Sequence, residues 1–353
     1  MAAPFTVTPE HEASTSQFLR RQLLFTPPLI SPNDVNLRGK TIIVTGANSG
    51  IGLHLCHQLL DLGLAKLILA VRNEPSGHAA AAALAASHPS LPPDALEVWH
   101  LDLALYPSIT SFAARAARDL PQLHNVILNA GIYRWRQVLN PHTGHDEDIQ
   151  TNYLSNVLLT ILLLPILKAK NNPDSPGRIT LVSSDTSAWA KFEERHAEQI
   201  LPAFDEITDK WEFQERYSTS KLLGQLFLAE LARRVPVEAA AAVVNCVNPG
   251  LCYGSNLARD GYGTLFGKVF YGAVCVIGRE ANLGARNLAH AAVSVGGKES
   301  HGRYVQDCEV RPMAPIVYTS EGKEVAARLW KETMKELSFA GVEEIVDRLG
   351  DGK

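Results

Sequence analysis

Thr41-Ile42-Ile43-Val44 is a β-branched run of strand type, and it leads directly into Thr45-Gly46-Ala47-Asn48-Ser49-Gly50-Ile51-Gly52. A helical pattern then continues through Leu62. A strand, a glycine-rich turn and a helix in that order form a phosphate cradle. Gly46 permits the tight turn, Gly50 lets the backbone approach a diphosphate, and Gly52 allows close helix–strand packing, with the anion on the helix N-terminus. No G-K-[ST] follows, which argues against a P-loop nucleotidase.

The rest of the chain repeats the strand–helix alternation. A second strand, Lys66 to Val71, ends in Arg72-Asn73 with no acid at its tip, Glu74 coming two residues after Arg72. An acid there accepts a ribose 2′-hydroxyl, whereas an arginine suits a 2′-phosphate, so NADP(H) is expected over NAD(H). An alanine-rich helix (His78 to Ser87) precedes a third strand, Leu96 to Leu101, which ends at Asp102-Leu103. A helix near Ile109–Leu120 follows, then a fourth strand, Asn125 to Leu128, that runs into Asn129-Ala130-Gly131. Arg178 to Val182 is a fifth strand delivering Ser183-Ser184, and Ala240 to Val247 a sixth ending in Asn248-Pro249-Gly250. Gly302 to Val305 suggests a seventh. The expected fold is α/β, a Rossmann-type doubly wound, about seven-stranded parallel sheet with helices on both faces and its ligand at the strands' carboxyl ends.

Tyr217-Ser218-Thr219-Ser220-Lys221 heads an apolar run, Leu222 to Leu231, that reads as helix. Positions i and i+4 share a helix face, so phenol and ammonium can point into one space. At 4 Å and a near-surface dielectric, the charge favours the phenolate by roughly 4 kcal/mol, or about three pKa units, before desolvation of the lysine takes some back. A tyrosine brought towards the operating pH is suited to general acid–base work.

Composition narrows the classes. Lys and Arg number 33 against 37 Asp and Glu, so the chain carries no basic footprint for nucleic acid. The five cysteines, Cys56, Cys246, Cys252, Cys275 and Cys308, lack C-x-x-C spacing; no metal site or disulfide framework is expected, and a reducing compartment is. Glu10 and Glu12 near the N-terminus, with no apolar run, argue against a signal peptide. Val157–Leu167 and Phe270–Ile277 are the longest apolar stretches and are shorter than a membrane span, so no integral membrane segment is expected. A soluble, cytoplasmic protein follows as the expectation.

The motif series T-G-A-N-S-G-I-G, Asp102-Leu103, N-A-G, Ser183-Ser184, Y-S-T-S-K and Asn248-Pro249-Gly250, in that order over about residues 38–255, resembles the short-chain dehydrogenase/reductase family. Arg72 and the segment around Asn152 are similar to its NADP-preferring retinol-dehydrogenase-like branch and fungal relatives. The resemblance implies a catalytic set of Asn152, Ser184, Tyr217 and Lys221, with Asn152 holding a helix bend and a water that relays protons to Lys221. Ser183 and Thr186 stay open as alternatives to Ser184. The implied cofactor contacts are Gly46, Asn48, Ser49, Gly50, Ile51, Gly52, Arg72, Asp102, Leu103, Asn129, Ala130, Gly131, Tyr217, Lys221, Pro249, Gly250, Cys252 and Ser255. Where family members often carry a threonine five residues after the proline, this chain has Gly254 and then Ser255, which leaves that contact open.

Residues 1–38 are expected to be an extension whose Phe18, Leu19, Leu23, Leu24 and Phe25 pack on the main body. Residues 39–320 would form one catalytic domain and 321–353 a C-terminal helical segment, read over 322–347 as one amphipathic helix that closes the domain or contacts a second subunit. A homo-oligomer stays open. Ser184 and Tyr217 lie 33 positions apart, a long spacing for the family, and the 185–216 insertion, with Trp189, Trp211 and a charged helix-like run Glu193–Gln199, is read as a lid or pocket wall. The 251–280 stretch, rich in glycine and aromatics (Tyr253, Tyr262, Phe266, Phe270, Tyr271), is read as a substrate loop, with an apolar lining that points to a lipophilic substrate. The function expected is NADPH-dependent reduction of a ketone or aldehyde, or the reverse alcohol oxidation, on a lipophilic small molecule. A dehydratase, isomerase or cyclase using the Tyr217–Lys221 pair for proton transfer alone is the alternative. A non-enzymatic NADP(H)-binding sensor is a third reading, against which the intact Ser184, Tyr217 and Lys221 weigh.

Overall fold

Alternation of side chains across the strands decides where the core lies. In the computed structural model, which describes residues 5–171, 174–261 and 263–350, Ile43, Ile68 and Val126 point to one face of a central sheet and Ile42, Val44, Leu67 and Leu69 to the other. Each face has its own buried cluster, so the sheet is covered on both sides. The first four residues of the extension, the last three of the C-terminal segment and Tyr262 lie outside the described residues.

The strands of the main sheet are β1 (Thr41–Thr45), β2 (Lys66–Val71), β3 (Leu96–His100), β4 (Asn125–Leu128), β5 (Gly177–Val182), β6 (Ala242–Asn248), β7 (Tyr304–Gln306) and β8 (Glu309–Arg311). Their order is β8-β7-β6-β5-β4-β1-β2-β3, parallel from β3 to β7. The helices of nine residues or more are α1 (Thr15–Leu24), α2 (Gly50–Asp61), α3 (Glu74–Ser87), α4 (Tyr106–Asp119), α5 (Ser155–Lys170), α6 (Phe213–Arg234), α7 (Leu265–Ile277), α8 (Ala281–Ala289), α9 (Ser320–Glu336) and α10 (Val342–Gly350). This is the Rossmann-type doubly wound sheet, and the chain reverses its winding between β1 and β4, where a crevice opens at the carboxyl ends.

The main sheet holds the seven parallel strands expected and adds an eighth, antiparallel one. Asp307 and Cys308 form the two-residue turn before β8, both with positive φ (49° and 64°). Such a hairpin turn is announced by Asn-Gly or Asp-Gly, and Asp-Cys carries no such signal. The expected C-terminal helix is two helices, because the chain turns at Gly341 (φ 63°). Val325, Leu329, Trp330, Met334 and Leu337 are buried within this same chain, and Trp330 stacks on Phe227 with centroids 5.6 Å apart.

Within the insertion, Glu193–His196 is a single tight turn and Ile200–Asp205 a short helix. Phe192 and Phe204 are buried and stacked, and the Glu332 carboxylate of α9 accepts from the amides of Ile200 (3.0 Å) and Leu201 (2.8 Å). The middle of the insertion is thus bound to α9. α1 docks differently from the expectation: Leu23 and Leu24 are 58% and 81% exposed, while Gln22 is buried. The helical run Glu147–Lys170 is long and apolar enough to cross a membrane, but 78% of that window is buried inside the protein.

Leu329→Ala should lower unfolding free energy by about 2–5 kcal/mol in urea denaturation, whereas Leu24→Ala should change it by about 0.5 kcal/mol or less. A Leu24→Ala cost as large as that of Leu329→Ala would contradict this docking of α1.

Candidate active site

The strand tips bring Thr45, Arg72, Asp102, Asn129, Ser183, Ser184 and Asn248 to the lining of one cavity of about 570 Å³. The glycine turn fits a close-approaching anion. Gly46 and Gly50 have φ of 65° and 53°, and a Cβ on Gly52 would sit 2.4 Å from the Gly46 carbonyl oxygen and 2.6 Å from Asn129 Nδ2. Asn129 Nδ2 donates to the Thr45 carbonyl (2.9 Å), and the Ala130 amide donates to Thr45 Oγ1 (2.9 Å), lacing β4 to β1 beneath the turn. Ser49 caps α2 without a side-chain bond to it, so the first amides of this 12-residue helix are directed at the cavity that Gly50, Ile51 and Gly52 line.

Arg72 is exposed on the rim, while Asn48 Nδ2 donates to Ser76 Oγ (2.9 Å). Asp102 Oδ1 accepts from the Ala104 amide (2.9 Å), and Leu103 is buried beside it. Gly131 lies against the catalytic candidates: a Cβ there would be 3.0 Å from Asn152 Oδ1 and 3.5 Å from Lys221 Nζ. Pro249, Gly250, Cys252 and Ser255 all border the cavity, Ser255 packing over Gly50. Burial pushes the Cys252 thiol up to about 12, so it is a neutral wall group.

Tyr217 and Lys221 lie in α6, and the Lys221 Nζ stands 5.6 Å from the Tyr217 ring centroid. Nζ donates to the Val182 carbonyl at the end of β5 (2.9 Å). Ser183 and Ser184 diverge. Ser183 Oγ accepts from Gln225 Nε2 (3.1 Å) in the interior, whereas Ser184 Oγ reaches the Tyr217 phenol, accepts from Thr186 Oγ1 (3.0 Å) and donates to Asp185 Oδ1 (3.4 Å). Thr186 therefore supports Ser184.

Asn152 lies in a π-helical turn, Gln150–Leu154, that opens into α5. Its Oδ1 accepts from the Ile132 amide (2.9 Å), and its Nδ2 donates to the Ile132 carbonyl (2.9 Å) and Ser220 Oγ (3.0 Å). The side chain straps the Gly131–Ile132 segment to α6, one residue from Lys221.

The electrostatics differ from the expectation of a depressed phenol. Among the protein's own groups, burial dominates and raises Tyr217 above the ordinary tyrosine value; Asp185 adds to the rise, and the Ser184 bond opposes it. Lys221 is lowered to about 8 by burial, against the pull of Asp148. Desolvation of both partners, rather than the pairwise attraction counted from spacing, is the leading cause of both shifts.

Sequence reasoning did not place Phe18, Tyr133, Trp135 or Asp185 at the site, yet all four line the cavity. Tyr133 meets Tyr217 edge-on at 4.7 Å, and Trp135 stacks on Phe213 at 5.3 Å. Only the Ser183-Ser184 pair gave a signal for Asp185, by adjacency. Of the loop aromatics, Phe270 and Tyr271 line the cavity, Tyr253 does not, and the Phe266 side chain lies outside what is described. From the insertion, Trp189 and Gln214 reach the wall. Among the described residues no cluster of three His, Cys, Asp or Glu is placed to hold a metal.

The architecture is that of a Rossmann-type dinucleotide-binding protein. A family model described as short chain dehydrogenase matches residues 40–193. The short-chain dehydrogenase fogG of Aspergillus ruber is 48% identical over 351 residues, covering 99% of each chain. The chain therefore belongs to the short-chain dehydrogenase family, and is an oxidoreductase of small-molecule carbonyl/alcohol pairs that uses NAD(P)(H). A crystal structure of an uncharacterized protein from Mycobacterium Paratuberculosis superposes with TM-score 0.62 at 25% identity, covering 88% of this chain and 98% of that one. NADPH-bound carbonyl reductase from chicken fatty liver shares the fold at TM-score 0.55 and 20% identity, covering 78% of this chain and all of that one.

Lys221 binds fewer protons folded than unfolded between about pH 8 and its ordinary 10.5, so it makes stability rise with pH across that interval, with its burial cost fully present below it. Tyr217 acts with the opposite sign, and only above about pH 10. The stability advantage of Lys221→Met over wild type in urea denaturation should shrink from about pH 8 to 10. A constant difference over that range would contradict burial of the ammonium.

Proposed function

We propose that the protein reduces a ketone or aldehyde on an apolar small molecule with NADPH, alcohol oxidation being the same chemistry in reverse. The observation that carries this is the convergence of Ser184, Tyr217 and Lys221 on one wall of the cavity at the carboxyl ends of the strands. Bound NADPH supplies the hydride. Gly46 to Gly52 would hold the diphosphate and Arg72 the 2′-phosphate, while Asp102 and Leu103 would border the adenine and Asn129 to Gly131 the inner half of the cofactor. Pro249, Gly250, Cys252 and Ser255, which border the same cavity, would close its other side. Support for the phosphorylated cofactor comes from Arg72, exposed where the strand tip has no acid, and from Glu74, turned towards His100 at 3.9 Å.

Ser184 donates a hydrogen bond to the substrate carbonyl and steadies the oxygen as negative charge grows on it. Tyr217 delivers its proton to that oxygen. The raised phenol suits this direction, because burial and Asp185 keep it protonated and an alkoxide is a far stronger base than phenolate. Lys221, fixed by the Val182 carbonyl, presents an ammonium on the phenol's side of the cavity and would hold the cofactor ribose. Tyr133, Trp135, Phe270, Val274 and Ile277 support a lipophilic substrate. We read residues 39–320 as the catalytic domain, with the extension and the C-terminal helices packed on it. Five unpaired thiols support a cytoplasmic location.

Fluorescence titration with NADPH and NADH, followed by a carbonyl panel, tests the reading. NADPH should bind more tightly and be consumed only with carbonyl present. Tyr217→Phe should lose about 10²–10⁴-fold in kcat with its NADPH dissociation constant unchanged. An active Tyr217→Phe enzyme contradicts the proton-donor assignment, and product formed without NADPH consumption contradicts the reduction.

A further inference from the structure

The segment that the family model does not match contributes to the cavity. α1 precedes residue 40, where that match begins, yet Phe18 lines the cavity together with Trp189 of the insertion. The two rings meet edge to face, with centroids 5.2 Å apart and an interplanar angle of 83°. α1 is held by polar contacts rather than by its leucines. Gln22, 7% exposed, pairs with the Leu251 backbone in both directions: Nε2 donates to the carbonyl (2.8 Å) and Oε1 accepts from the amide (3.1 Å). Arg279 Nη2 donates to the Arg21 carbonyl (3.0 Å), and Trp189 Nε1 donates to the Ala13 carbonyl (2.7 Å). Leu251 itself borders the cavity, so the clamp ties α1 to the loop that follows Pro249-Gly250. Leu19, Leu23 and Leu24 face solvent, which leaves Phe18 as the half-buried apolar residue that this helix aims at the site.

We infer that Phe18 is a specificity-determining residue, delivered by the N-terminal helix to form with Trp189 an aromatic clamp for an apolar, ring-bearing part of the substrate. This rests on the carbonyl-reductase reading for its kinetic consequence but not for its binding consequence. A ring held there would use binding energy away from the reacting carbonyl. Its recognition would be felt by a large ketone and not by a small aldehyde.

The test uses the full chain and two probes, 2-acetylnaphthalene and propanal. 2-Acetylnaphthalene binding is read by quenching of tryptophan fluorescence, and turnover of both probes by NADPH consumption. Phe18→Ala should weaken 2-acetylnaphthalene binding and raise its KM by about three- to tenfold. The NADPH dissociation constant and kcat/KM for propanal should stay as in wild type. Phe18→Tyr should restore binding, and Gln22→Ala, which releases the helix, should reproduce the Phe18→Ala loss. Equal 2-acetylnaphthalene binding by wild type and Phe18→Ala overturns the proposal, as does an equal loss for both probes or failure of the wild type to bind the ketone. If the wild type binds 2-acetylnaphthalene but reduces neither probe, the reductase reading fails while the binding comparison still decides the role of Phe18.

Discussion

A lysine buried beside a tyrosine at the end of a parallel strand is the arrangement on which the site depends. Lys221 is 7% exposed, and taking its ammonium out of water is costly unless other groups replace the lost hydration. The Val182 carbonyl accepts from it at 2.9 Å, and the Asp148 carboxylate favours its charge. Three elements must therefore meet: the tip of β5, the first turns of α6 and the π-helical entry to α5, where Asn152 straps Ile132 to Ser220. The same tip delivers Ser184, so one packing arrangement positions the ammonium, the phenol and the hydroxyl together.

The competition between charge and burial also bears on the direction proposed for the site. An i,i+4 spacing shows that Tyr217 and Lys221 share a face, and Coulomb's law for that pair predicts an acidified phenol. Burial and the Asp185 carboxylate reverse the sign among the protein's groups. Asp185 reads as an ordinary residue after a serine pair, and its effect on Tyr217 exists only once β5 and α6 are packed. A protonated tyrosine beside Ser184 is a donor at rest, which favours giving a proton to a growing alkoxide over taking one from an alcohol.

The strand–turn–helix at Thr41–Gly52 and the polar residues at the strand ends could be read in the chain because each is local: glycine marks backbone contact, and a period of two marks a buried strand. What escaped the reading depends on tertiary partners. The apolar residues of α1 suggested a face packed on the body, but Gln22 finds the Leu251 backbone and leaves Leu23 and Leu24 in solvent. Phe18 reaches a cavity whose Tyr217 lies almost two hundred positions later, and no periodicity encodes that. The insertion's charges look like a solvated helix, yet Phe192 and Phe204 bury its centre against α9. The Asp307-Cys308 hairpin has the required positive φ without the residues that advertise it.

The central claim is that this cavity moves a hydride between nicotinamide and a substrate carbon while Tyr217 handles the proton. Incubating the protein with NADPH deuterated at nicotinamide C4 and a carbonyl compound it consumes, then analysing the alcohol by mass spectrometry and NMR, tests this most directly. The account predicts deuterium on the carbinol carbon, from one face of the nicotinamide only. An unlabelled product, or label scrambled with solvent, would contradict it.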